Sequence, residues 1–203
     1  MDKINTRNTR NTLIPTLART SPVTFGILLF INCIISPSFN TFYIFIMYFV
    51  VMLLNYFEKV LIFKPIYNLL GKTSISVLGK GFRPDGANSC TFILDGKKSE
   101  SFGMPSGHSQ LAWTLATYII SKIIYNFKNK ENEIDKTNLA FSYVWIIISC
   151  SLIIVTATYI SYSRVYIEGC HTLQQVVIGG VLGVFGGFGI YYYEDSLKNA
   201  MHL

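Results

Sequence analysis

Charge is what this chain has least of. Only 14% of its 203 residues are Asp, Glu, Lys or Arg, while 51% are hydrophobic; soluble domains carry about 25% charged residues. The mean hydropathy is +0.40. So little polar surface cannot face water on every side, which excludes an ordinary soluble globule, and the length suggests one domain. The net charge of +6 comes without a Lys/Arg-rich run or a basic helix face, so a nucleic-acid partner is not expected. The four cysteines, Cys33, Cys90, Cys150 and Cys170, show no CxxC or Cys/His ligand spacing. That argues against a zinc site and gives no support to a disulfide framework, although Cys90 and Cys170 both lie near the motifs described below. Cys33 and Cys150 read as small buried hydrophobes. Asp and Glu form no cluster that points to a metal, and nothing calls for a cofactor. There is no internal repeat or low-complexity segment, and no small-residue cleavage site that would mark a signal peptide.

What the chain does have is long apolar runs, and a helix needs roughly 20 such residues to cross the hydrocarbon core. Residues 1–22 read as a flexible, polar, basic tail containing Lys3, Arg7, Arg10 and Arg19. Val23 to Ile35 is apolar but short, and Pro37 ends it; it reads as a tight span, a re-entrant piece or half of a hairpin. Phe42 to Phe63 is long enough to span, with Glu58 and Lys59 marking its exit from the core. Residues 71–106 are polar and Gly-rich, hence a loop outside lipid. Ser106 is placed to cap a helix that runs to about Phe127. A charged connector separates it from a strong span, Phe141 to Ile160. A second polar loop, 161–171, leads to the last span, Thr172 to Tyr193, whose glycines permit close helix packing. Residues 194–203 read as a short tail. The expectation is an all-α polytopic bundle of four to five transmembrane helices, with a membrane domain over 23–193.

The unusual polar residues all fall at one kind of place. Arg83 follows the second run, His108 begins the next span, and Arg164 and His171 lie between the final two. Two spans, out and back, separate His108 from His171, so the clusters emerge on one face. Two of the chain's three histidines thus sit beside helix starts, each near an arginine. In Gly-Met-Pro-Ser-Gly-His-Ser-Gln (103–110), Ser106 offers a hydroxyl and Gly107 an unobstructed amide, both at a helix N-terminus, where anions are favoured. Arg164 supplies a planar fork suited to phosphate oxygens. Gln175 lies one helical turn after His171, within reach of its imidazole; a Gln carbonyl that accepts Nδ1–H leaves Nε2 free. Arg83-Pro84 has Lys80 three residues before it and Lys72 further back.

The order Arg-Pro, Pro-Ser-Gly-His, Ser-Arg…His resembles that of the type 2 phosphatidic acid phosphatases, which form a superfamily with the vanadium haloperoxidases. Gly-Met-Pro-Ser-Gly-His-Ser-Gln and His-Thr-Leu-Gln-Gln look most like the dolichyl-diphosphatase branch. The resemblance covers about residues 60–190. It implies that His171 is the nucleophile and His108 the general acid, with Arg83, Arg164, Ser106 and the Gly107 amide on the phosphoryl oxygens. The chain departs from the family at three points. The lysine expected seven residues before the arginine is Ser76, leaving Lys72 or Lys80 as substitutes. The gap between Arg164 and His171 is one residue longer than usual, around Gly169. The acid that usually orients the nucleophile is replaced by Gln175.

The implied activity is metal-independent hydrolysis of a polyprenyl diphosphate or related lipid phosphate through a phosphohistidine, in an endomembrane such as the endoplasmic reticulum. A lipid monophosphatase acting on phosphatidic acid is the alternative, and an inactive membrane scaffold a second. A soluble haloperoxidase is disfavoured by the spans. If Val23–Ile35 spans, the basic tail and the site share a side, cytoplasmic by the positive-inside rule. If it is re-entrant, the site faces a lumen.

Overall fold

A computed structural model describes residues 13–71, 73–87, 89, 101–130 and 136–201. The described chain is a helical bundle of α1 (Leu13–Ile35), α2 (Phe39–Phe57), α3 (Lys64–Leu69), α4 (Gly107–Lys130), α5 (Lys136–Tyr162) and α6 (Leu173–Ala200). Two π-helical turns, Glu58–Phe63 and Ser163–Ile167, continue α2 and α5 at their C-terminal ends. A two-residue hairpin, β1 (Ser74–Ile75) with β2 (Gly79–Lys80), is its only sheet among the described residues.

Four helical segments are long and apolar enough to cross a membrane: Leu13–Ile35, Phe39–Leu69, Leu139–Ile167 and Leu173–Lys198. The protein is therefore an integral-membrane, all-α bundle. Its fifth long helix, α4, is the least lipophilic because protein surrounds it. Leu111, Ala112, Leu115, Ala116 and Tyr118 are all buried. The outer helix α5 instead turns Phe141, Trp145, Ile148, Leu152 and Val155 outward, where only apolar side chains suit lipid.

α4 and α6 are the central pair, and the glycines of α6 explain how close they come. A Cβ on Gly179 would lie 2.5 Å from the Ser106 carbonyl oxygen, and one on Gly187 2.6 Å from that of Thr114. Gly183, midway between them, would meet the Gln110 carbonyl. This four-residue stripe brings backbone against backbone, which is how apolar helices associate when burial from water no longer drives them together. Tyr43, Ile44, Tyr48 and Val51 of α2 close a core over Leu111, Leu115 and Ile190.

Both expected tails are shorter than the sequence suggests. α1 begins at Leu13, so residues 13–22 are helix, and Ala18 and Arg19 are buried. Polar residues on the inner face of this turn hide it from a search for apolar runs. The helix is long and apolar enough for a full span and forms a hairpin with α2, whose start is fixed by a capping box between Ser38 and Thr41. The first turns of α1 therefore share the face reached by the end of α2. At the other end, α6 continues through 194–200. Glu194 is fully buried there, 2.7 Å from Lys122, 3.0 Å from Lys198, and 2.8 Å from the Tyr118 hydroxyl, which donates to it.

Candidate active site

The three motif segments meet at Gln175, a fully buried residue in the first turn of α6. Its Oε1 lies 2.9 Å from His171 Nδ1 and accepts the Thr172 amide at 3.3 Å. Its Nε2 donates to the carbonyls of Lys80 and Phe82, both at 2.8 Å. Its own carbonyl accepts the Ser106 amide at 3.0 Å. Because an amide oxygen can only accept, the proton on His171 sits on Nδ1 and Nε2 carries the free lone pair. A side chain at Gly103 would collide with this hub, its Cβ 2.7 Å from Gln175 Oε1.

The loop before His171 folds back on Arg164, whose carbonyl accepts the amides of Cys170 at 3.0 Å and His171 at 3.3 Å. Gly169 turns the chain there with φ of +62°, a conformation glycine adopts without steric cost. Arg164 is itself fully buried, in the π-helical turn. Burial and the neighbouring cations Arg83 and Lys59 push the His171 imidazole down to about 3, against the smaller opposing effect of its bond to Gln175. The imidazole is therefore neutral at ordinary pH, the form in which a histidine is a nucleophile.

Ser106 precedes the first residue of α4. The expected capping bond is absent, and its buried hydroxyl has no partner. Two buried guanidinium nitrogens of Arg83, Nε and Nη1, are likewise without an acceptor. Unpaired buried donors are costly in a folded protein, and these three are of the kind that suits anionic oxygens. Gly107 is needed twice over, since besides exposing its amide it keeps a Cβ from Asn55 Oδ1, 2.8 Å away. His108, half-buried in the first turn of α4, places Nε2 3.1 Å from the Arg19 carbonyl of α1.

Of the two candidate lysines, only Lys80 lies within the described residues. Lys80 turns its ammonium to the surface, 3.5 Å from Asp85, and contributes only its carbonyl to the hub. Lys72 lies outside the described residues. The lysine that acts on both histidines, together with Arg164, is Lys59, in the first π-helical turn. Its signal in the sequence was a charge at the end of a span, which is a functional-site pointer by default. Cys170, the residue before His171, is disulfide-bonded, a possibility that the sequence left open without supporting it, whereas Cys33 and Cys150 are free thiols. Cys90 lies outside the described residues.

The PAP2 superfamily model matches residues 41–198, which takes in every motif segment of this site. The chain belongs to the PAP2 superfamily. Among curated proteins it is similar to Dolichyldiphosphatase 1 of Rhinolophus ferrumequinum and of Mus musculus, each 37% identical over 83 residues, and of Homo sapiens, 37% over 82. Each match covers 40% of this chain and 32% of the relative, so the chain spans about a third of the length of these relatives. No solved structure matches. The PAP2 match begins inside α2 and leaves out α1.

Proposed function

We propose that this PAP2 protein is a membrane lipid phosphatase that hydrolyses a polyprenyl diphosphate of the dolichyl type, or a related lipid phosphate, through a phosphohistidine. The observation that carries the reading is a set of buried donors beside a pinned, neutral imidazole: Arg83 Nε and Nη1 and Ser106 Oγ lack partners, and Gln175 fixes His171 with Nε2 free.

In this mechanism His171 Nε2 attacks the terminal phosphorus. Arg83, Arg164, Ser106 Oγ and the Gly107 amide stabilise charge on the equatorial oxygens. His108 protonates the leaving oxygen as the P–O bond breaks. It then takes a proton from the water that cleaves the phosphohistidine. Protein cations carry the charge that a metal would otherwise balance, so the reaction is metal-independent.

The substrate's chain has a place to lie. A cavity of about 1050 Å³ runs between α1, α4 and α5, lined by Phe25, Leu28, Leu29, Ala112, Ala116 and Ile160 among others. Ala112 is one helical turn beyond His108, and Ile160 one turn before Arg164, so a headgroup held by these donors has apolar space directly beneath it. Disulfide bonding of Cys170 fits a site that faces an oxidising compartment, such as the endoplasmic-reticulum lumen. The cations of the same face then serve phosphate binding rather than orientation in the membrane.

The test uses purified protein in detergent. Phosphate release from a polyprenyl diphosphate should persist in EDTA, fall with vanadate and vanish in His171→Ala. Release that survives His171→Ala would overturn the mechanism. Faster turnover of phosphatidic acid than of the diphosphate would favour the monophosphatase, and no release from any lipid phosphate would favour a scaffold.

A further inference from the structure

We infer that α1, which lies outside the PAP2 match, is part of the catalytic apparatus: the Arg19 backbone carbonyl fixes the tautomer and orientation of His108. The inference rests on the reading of His108 as general acid. Arg19 and His108 are 89 residues apart in sequence, yet the carbonyl oxygen and Nε2 are 3.1 Å apart. A carbonyl can only accept, so the hydrogen on Nε2 belongs to this bond. The proton exchanged with substrate is then on Nδ1. The two histidines are thus pinned through opposite nitrogens, His171 by Gln175 at Nδ1 and His108 by Arg19 at Nε2. Each leaves its other nitrogen for chemistry.

The sequence of α1 provides for the bond. A helix carbonyl ordinarily spends its lone pairs on the amide four residues on, and Pro22 has no amide to give to Ala18. Its ring also crowds the Ala18 carbonyl, one residue before Arg19, so the turn that carries the Arg19 carbonyl is not held by the usual bond from residue 22. Ala18, buried beside Ala112, Ala116 and Ala157, lets α1 come close enough to α4 for the contact. The Tyr48 hydroxyl donates to the Pro22 carbonyl and holds the turn from its other side.

The chemistry balances on His108 alone. Burial and the neighbouring Arg164 and Lys59 hold the free His108 imidazole neutral. Nδ1 therefore takes up its proton together with the anionic substrate, whose charge offsets those cations. As the phosphorus–oxygen bond breaks, the imidazolium gives that Nδ1 proton to the leaving oxygen. In the second step Nδ1 recovers a proton from the attacking water, while Nε2–H stays on the Arg19 carbonyl throughout. Arg19 is a positioning residue here, acting through its backbone, so a side-chain substitution does not address it. Pro22→Ala does so through the helix: it restores an amide for the Ala18 carbonyl and removes the ring beside it, tightening the turn on which Arg19 sits.

With only three histidines in the chain, ¹⁵N-histidine NMR of the full-length protein in micelles reads the tautomers directly, without turnover. His108 is expected as the Nε2–H tautomer and His171 as Nδ1–H, with His108→Gln and His171→Gln used for assignment. Pro22→Ala should shift only the His108 signals. In kinetics, Pro22→Ala should slow release from a lipid phosphate, whose alkoxide leaving group needs a proton, at least tenfold. Release from an aryl phosphate, whose leaving group needs none, should change less than threefold. An Nδ1–H tautomer at His108 in the wild type would overturn the inference, as would equal slowing of both substrates or no slowing of either. If Pro22→Ala does not fold, the wild-type tautomer decides. Loss of the His171 requirement would sink the mechanism but leave this tautomer result standing.

Discussion

Gln175 accepts the Nδ1–H of His171 at 2.9 Å and, with the other end of the same amide, donates to the carbonyls of Lys80 and Phe82 at 2.8 Å each. That arrangement explains why an amide stands where the family's pattern has an acid. One end of the side chain must accept and the other must donate, and only Gln does both at this length. The neutral partner lends the imidazole less charge than a carboxylate would. In return it ties the Arg83 loop to the helix that follows His171.

Gln175→Glu should therefore impair the protein, although it restores the acid of the family's pattern. A carboxylate would set a negatively charged oxygen against the two loop carbonyls and strand both without a donor. Leaving buried groups unsatisfied costs about 1–3 kcal/mol each. Thermal unfolding in detergent should shift to lower temperature, and phosphate release should fall at least tenfold. A Gln175→Glu protein as stable and active as the wild type would show that the amide's donor end is dispensable.

Lys59, rather than Lys80, should carry the lysine's part in anion binding. A hydrogen bond or ion pair to a charged group is worth about 1.5–3 kcal/mol, or roughly 10- to 100-fold in affinity. Lys59→Met is expected to weaken vanadate inhibition by that factor, whereas Lys80→Met, whose ammonium faces Asp85 at the surface, should stay within about twofold. The comparison is a vanadate titration of both variants. The reverse ranking would return the role to Lys80.

The site was legible in the sequence where motif and helix terminus coincide. His108, Arg164, His171 and Gln175 are each placed by a span boundary that hydropathy reveals, and the structure brings them to one end of the bundle. What the sequence hid were features set by tertiary contact. Arg19, Ser21 and Pro22 interrupt the apolar run of α1, so the run looks too short to span, yet Arg19 and Ser21 are buried against protein rather than lipid. Lys59 was read as the exit of a span because nothing local shows the π-helical turn that presents it. Such turns recur at functional sites, and the two among the described residues carry Lys59 and Arg164. The hydroxyl of Ser106 looked like a cap because N-cap propensity is local, whereas its freedom depends on Gln175 taking the Ser106 amide from another helix.

The glycine stripe of α6 gives a prediction with an internal control. A Cβ at Gly183 would meet the Gln110 carbonyl and lie 2.9 Å from Trp113 Cβ, whereas one at Gly189 meets nothing within 4 Å. Gly183→Ala must push α4 and α6 apart, and overpacking of this kind costs about 1–3 kcal/mol. Gly189→Ala should be neutral or slightly stabilising, since alanine is the better helix former. Denaturant-induced unfolding in micelles, followed by circular dichroism, distinguishes them. Equal stabilities would mean that the helices are not in backbone contact at Gly183.

Acid should destabilise the fold through His171, and the direction follows from its surroundings. Burial, Arg83 and Lys59 hold the imidazole at about 3, below the ordinary 6.5. Between those values the unfolded chain binds a proton that the folded chain excludes, so stability rises with pH across this window. The contribution is fully present above pH 6.5 and is lost as pH falls towards 3. At pH 5 the loss amounts to at most about 2 kcal/mol. His171→Asn removes the titrating group while keeping a donor for Gln175. The melting temperature of the wild type should fall relative to this variant as pH is lowered from 7 to 5. Vanadate, by neutralising the flanking cations, should shrink the gap. Parallel pH profiles for the two proteins would mean that His171 takes up its proton in the folded state as readily as in the unfolded one, and that the pocket does not hold it neutral.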